Sequence, residues 1–294
     1  MSGSRSRPAD VLLDLLRSVG DRGHSVRFLV DAGGLFDFSE NTVRVTLSRL
    51  LTRGLVESPA RGRYRLAART DALNEFVERW RLGEARVRPW TPDDWLFAQL
   101  SAPSASTRWA LEALGFREVR LGLFARPDNL RLDPDALLTL GRGIGMEPEL
   151  LLIRGTPQGC GAPGASDAWR SCWDPQALAA DYEELGRRLR ESAARLTSLP
   201  LDRARLESFR LGGEAIHCLA KDPLLPEQWL DPGPRAALVR ETLAYDAAGK
   251  AVWASARGRE ADALPVPQLP SAAAAIPRSE MTETNEAAEA RNRP

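Results

Sequence analysis

The stretch from Phe38 to Leu66 constrains this chain more than any other. Ser39 is a good helix N-cap, Glu40 sits in the first turn where the helix dipole is positive, and Gly54 follows Arg53 where a helix end favours a left-handed residue. Phe38 before the cap and Val43 inside it can close a hydrophobic staple. Val43, Leu47, Leu50 and Leu51 recur at helical spacing and predict a buried face. Asn41, Arg44, Val45 and Ser48 fall opposite, with Thr42, Arg49 and Thr52 at the margins. After Gly54 the pattern changes. Leu55 to Glu57 and Arg63 to Leu66 read as strands joined by Ser-Pro-Ala-Arg-Gly, a hairpin with an Arg61-Gly62 tip.

Two helices precede this unit. Asp10 to Val19 places Val11, Leu12, Leu15, Leu16 and Val19 on one stripe, and Ser25 to about Ala32 reads as a second, shorter helix. Helix, helix, polar-faced helix and basic hairpin is the order of a winged helix-turn-helix, here over residues 8–70. A helix can enter a major groove only if its outward face is narrow, polar and able to donate to base edges or phosphates. Asn41, Arg44, Ser48 and Arg49 meet that requirement, with Ser39, Thr42 and Val45 beside them. Arg61 and Arg63 on the wing are placed to reach backbone or minor groove.

Charge supports the same assignment. The chain has 40 basic and 40 acidic side chains, yet residues 41–70 hold seven arginines against Glu57 alone, a local +6 that leaves −6 on the rest. A basic module on an acidic body points to nucleic acid.

Residues 71–89 read as a helical linker. From Trp95 the order strand, helix, two strands meeting near Leu121-Gly122, helix and strand predicts a ferredoxin-like (βαββαβ) middle domain over 90–158. A Gly/Pro/Ala-rich loop follows. Residues 169–255 read as a helical C-terminal domain: a long amphipathic helix, Gln176 to Leu199, with Leu178, Tyr182, Leu185, Leu189 and Leu196 on one stripe, then short helices at 202–211, 213–220 and 235–246. Residues 256–294 have few large apolar side chains and are expected to be disordered. The fold class expected is α+β, multidomain.

The segment SENTVRVTLSRLLTRGLVESPARGRYRL (Ser39 to Leu66) resembles the recognition helix and wing of the PaaX family, bacterial repressors of phenylacetic-acid catabolism. LEALGFREVRLGLFARPDNL, CWDPQALAADYEEL and GEAIHCLAKDPLLPEQWL follow in the family's order, so the resemblance covers about residues 20–255. It implies a homodimeric repressor released from operator DNA by an aryl-acyl-coenzyme A. Thr42 and Thr46 depart from the alanines that relatives often carry, so operator sequence does not transfer.

Rival chemistries are weaker. Gly159 to Gly164 is a literal GxGxxG, but Pro163 stiffens it and only helices follow, so no nucleotide cofactor is expected. A metal-dependent nuclease would need clustered carboxylates in the middle domain; Asp128 and Asp133 are more simply turn or cap residues. His217 and Cys218 are adjacent on a helix and point about 100° apart, which gives a core cysteine beside a partly exposed histidine. Trp169 and Trp173 share a helical face suited to core packing. Neither an enzyme nor a metal site is expected. Without an apolar run of about 18 residues or a signal core, the expected location is cytoplasmic and away from membranes. The alternative to a regulator or nuclease is a protein-interaction module that does not bind DNA.

Overall fold

The computed structural model describes residues 7–17, 23–157 and 169–262. Helix α1 (Pro8–Arg17) buries Val11, Leu12, Leu15 and Leu16. A two-residue strand β1 (His24–Ser25) leads into α2 (Val26–Gly34), whose cap is Ser25, its Oγ accepting the Phe28 N–H at 3.1 Å. Then come α3 (Glu40–Thr52), β2 (Val56–Ala60) and β3 (Arg63–Leu66). The strands form an antiparallel sheet in the order β1-β3-β2. Leu12, Leu16, Leu29, Val43, Leu47, Leu50 and Val56 share one core. Helices α2 and α3 approach closely at Gly33, where a Cβ would lie 2.6 Å from Val43 Cγ2. Two details differ from the sequence pattern. Leu51 is half-buried rather than core. Strand β2 runs on through Pro59, which its place at the sheet edge tolerates, so the loop shrinks to Arg61-Gly62 with Gly62 at φ 72°.

Helix α4 (Asp71–Glu78) and a 3₁₀ segment (Arg79–Arg86) follow. They are no mere polar connector: Phe76 is buried and Trp80 is fully buried, each in a different core. Strand β4 (Trp95–Gln99), α5 (Ala105–Ala113), β5 (Arg117–Arg120), β6 (Leu123–Pro127), α6 (Pro134–Gly143) and β7 (Leu151–Gly155) come in the expected order. Their sheet runs β5-β6-β4-β7 with every neighbouring pair antiparallel. Leu96, Ala98 and Phe124 of the sheet pack on Leu111 and Leu137 of the two helices.

The C-terminal region is more continuous than its glycines and prolines imply. Helix α7 (Pro175–Leu196) buries Tyr182, Leu185, Leu189 and Leu196, with Leu178 only partly covered. Helix α8 (Leu201–Ala220) runs unbroken where two short helices were expected. Gly212 does not end it: its backbone is not among the left-handed glycines, and it lies buried inside the helix, where an added Cβ would make only ordinary contact with the Tyr245 ring. Helix α9 (Pro232–Asp262) far exceeds the expected 235–246; its prolines lie in the first turn, where no intrahelical N–H is needed. It also carries helix past Ala256, the expected start of disorder; the residues after Asp262, like the Gly159–Gly164 motif, lie outside those described. Around α7–α9 a tryptophan cluster forms. Trp95 lies 5.9 Å from Trp90, 5.3 Å from Trp169 and 5.7 Å from Trp229, while Trp173 donates to Gly115 O at 2.9 Å. Trp169 and Trp173 are thus packing residues.

The described residues as a whole are a mixed helix and sheet fold with two small antiparallel sheets. The first core does not stand alone. Phe36 stacks edge-on against Phe209 of α8 at 5.1 Å, and Phe28 meets Trp253 of α9 at 6.0 Å. Buried Arg205 reaches from α8 to Asp31 of α2 at 2.6 Å and lies 4.5 Å over the Trp253 ring.

Candidate nucleic-acid interface

Helix α3 is held at both ends by its own sequence. Ser39 Oγ accepts the Thr42 N–H at 3.2 Å and bonds the Thr42 hydroxyl at 2.9 Å, so these two side chains serve the cap. Arg53 closes the helix and Gly54 turns away at φ 63°. Between them the burial divides as the spacing predicts: Val43, Leu47 and Leu50 are buried, and Asn41, Arg44, Val45, Ser48 and Arg49 are exposed. The first four of those span an arc of roughly 100° on the helix. Thr46 is turned inward, its hydroxyl donating to Thr42 O at 2.7 Å.

The arginines separate into engaged and unengaged. Arg44 pairs with Glu40 one turn back at 2.7 Å, with both side chains more than half exposed. Such an exposed pair contributes only about 0.3–0.5 kcal/mol and exchanges readily for a phosphate. Arg65 is bonded to Glu57, its cross-strand neighbour, and Arg69 donates to Arg53 O at 2.7 Å. Arg63, expected to be a free wing contact, donates to Gly23 O at 3.1 Å and so ties the hairpin to the start of β1. Arg49, Arg53 and Arg61 have no side-chain hydrogen bond or ion pair among the described residues, and all three are exposed. Once Glu40 is counted, seven guanidiniums meet two carboxylates, so the surface is basic but less so than the window 41–70 implies.

Arg53 was missed from sequence. Its place as the C-cap residue just before Gly54 was a legible signal that it is exposed at the end of α3. Neighbouring His24 is structural: its Nε2 lies 3.1 Å from Leu15 O and its ring stacks on Phe28 at 4.1 Å.

The rival sites are occupied by structural contacts. Buried Asp128 pairs with Arg88 at 3.0 Å and Arg154 at 2.6 Å, and Asp133 caps α6 through the Ala136 N–H at 2.8 Å. Among the described residues no group of three His, Cys, Asp or Glu is placed to hold a metal ion. Burial pushes the Cys218 thiol up to about 12, far from a nucleophile's range, and lowers the pKa of His217. No helix among the described residues is long and apolar enough to cross a membrane.

Comparison with known proteins gives a fold without a function. No family model and no curated protein matches the chain. Three solved chains do. One is the uncharacterized protein Rv0674 from Mycobacterium tuberculosis, 22% identical, aligned over 86% of this chain and 100% of that one with a TM-score of 0.54. At that identity the likeness concerns the fold alone.

Proposed function

We propose that this chain is a DNA-binding transcription regulator whose residues 8–70 act as a winged helix-turn-helix, with a ferredoxin-like middle domain and a helical C-terminal domain behind it. One observation carries the proposal. The exposed face of α3 presents Asn41, Arg44, Val45, Ser48 and Arg49 together, while Arg61 stands at the tip of the adjoining hairpin. Amide and guanidinium groups can each bond two atoms of one base edge, and Val45 can contact a thymine methyl. Arg49, Arg53 and Arg61 would supply phosphate contacts, which give affinity without sequence information. The cap pair Ser39–Thr42 would fix the angle at which the helix enters the groove.

The resemblance to PaaX-type regulators extends this to a homodimeric, cytoplasmic repressor of a catabolic operon. An effector such as an aryl-acyl-coenzyme A would release DNA by binding the free dimer arrangement better than the bound one. Selection of bound duplexes from a random-sequence pool tests the proposal. The expected product is a two-fold site whose half-sites are about 10 base pairs, or a multiple of that, apart. Recovery of no enriched sequence at moderate salt would refute it. Cleavage of the duplex on adding Mg²⁺ or Mn²⁺ would favour a nuclease instead.

A further inference from the structure

A small cavity of about 40 Å³ lies where α4, the 3₁₀ segment after it, the end of α5, β6 and the chain leaving α8 converge. Phe76 and Leu140 are among its apolar walls, and Arg79, Arg86, Arg126 and Asp222 are its polar lining. Arg86 and Arg126 are buried, 5% and 1% exposed, and neither forms an ion pair among the described residues. Arg86 donates to Gly83 O and Leu219 O, both at 3.2 Å, while its Nη2 has no hydrogen-bond partner among the described residues. Arg126 donates to Pro127 O, Leu114 O, Pro223 O and Asn129 Oδ1, all of them neutral acceptors. Arg79 is half-buried and has no side-chain hydrogen bond or ion pair among the described residues.

The acids nearby do not cancel these three cations. Asp222 Oδ1 accepts the Leu224 N–H at 2.7 Å and lies 3.9 Å from Arg235 Nη1, and its Oδ2 accepts no hydrogen bond among the described residues. Arg235 is also held by Glu84. Four guanidiniums, those of Arg79, Arg86, Arg126 and Arg235, thus meet two carboxylates. Asp128 acts on Arg126 from further off, but it is committed to Arg88 and Arg154, and Arg117 adds positive charge on the same side. Burial without a counter-ion lowers the pKa of both buried guanidiniums, that of Arg126 to about 9, so both still carry their charge at neutral pH. A water bridging Asp222 Oδ2 to Arg86 Nη2 would satisfy those two atoms and leave the surplus charge where it is.

We propose that this cavity is an anion site that takes a bare monovalent ion of the size of chloride, with Arg86 Nη2 donating to it and Arg79 and Arg126 supplying the rest of its counter-charge. A hydrogen bond from a guanidinium to an anion is about twice as strong as a neutral one, and apolar walls strengthen it further. Size sets the class of ligand. Roughly 10–15 Å³ already holds one water, so about 40 Å³ holds an ion and little more, which excludes a phosphate ester or a coenzyme. The ion joins the linker through Arg86 and the middle sheet through Arg126, both of which are already bonded to the backbone at the end of α8. Its effect is therefore on the stability of the body, and it does not depend on the DNA-binding proposal.

Melting of the full chain in sodium chloride against sodium gluconate at equal ionic strength tests the site, since gluconate is too large for the cavity. The melting temperature should rise saturably with chloride, bromide should substitute for it, and gluconate should give no such rise. Arg79→Gln should raise the half-saturating chloride concentration about tenfold, the loss of one charge-assisted interaction. Arg61→Ala, on the exposed hairpin, should leave it unchanged. Arg86→Gln should abolish the dependence; if that variant does not fold, Arg79→Gln still decides. Equal melting temperatures in the two salts, as when water alone fills the cavity, overturn the inference. So does a chloride dependence that Arg79→Gln leaves intact or that Arg61→Ala removes, because the ion then sits elsewhere.

Discussion

Arginines in two regions of this molecule do different work. In the C-terminal helices most are matched to carboxylates: Arg187 to Glu184 and Glu191, Arg188 to Glu214, Arg195 to Glu207, Arg205 to Asp31 and Arg235 to Glu84. Those guanidiniums are spent on internal contacts, several of them joining elements far apart in sequence. Around α3, Arg44 pairs with Glu40 and Arg65 with Glu57, while Arg49, Arg53 and Arg61 have no acidic partner among the described residues. The same residue type is a fastener in one region and an unmet charge in the other. An unmet charge costs little in water, so its clustering beside a polar helix face favours a polyanionic partner over a stabilising role.

The contrast is open to direct attack. Arg235 is almost fully buried, and its guanidinium meets both Glu84 oxygens at 2.8 Å. Arg235→Ala should cost about 3–5 kcal/mol in chemical denaturation, because Glu84 and buried Asp222 lose their cation. Leu47→Ala, on the hidden face of α3, should cost about 2–5 kcal/mol and abolish DNA binding by unfolding the module. Arg44→Ala and Ser48→Ala sharpen the comparison from the other side. Each should weaken a selected operator by about 1–3 kcal/mol while shifting stability by less than about 0.5 kcal/mol. Smallest of all, Arg61→Ala should lower affinity for every duplex alike and reduce the log–log salt slope by about one. Arg61 is the clean wing probe, since removing Arg63 also frees the hairpin from Gly23.

What sequence could and could not reveal follows the range of the interactions. Caps and periodicity act within one helix, so the ends of α3 and its buried stripe were legible from Ser39, Gly54 and the spacing of Val43, Leu47 and Leu50. The Glu40–Arg44 pair is legible too, from its i,i+4 spacing. Strand β1 was not, because two residues carry no periodic signal. Nor was the continuity of α8 across Gly212, since a glycine within a helix and one that ends it look alike in sequence, or the engagement of Arg63, whose acceptor is 40 residues away. The packing of Phe36 on Phe209 is equally long-range. It means that cutting the chain near residue 71 exposes Leu206, Phe209 and Trp253, so a fragment lacking the module is a poor substitute for the whole body.

The most direct test of the central claim is a salt titration of duplex binding by fluorescence anisotropy. It compares the wild type with an Arg44→Ala, Arg49→Ala, Arg61→Ala triple variant of unchanged melting temperature. Wild-type affinity should fall steeply and linearly on logarithmic axes, and the variant should bind more weakly with a slope flatter by about two to three. A wild type that binds no duplex at about 50 mM salt, or a variant with the same slope and affinity as the wild type, would contradict the assignment of this face to DNA.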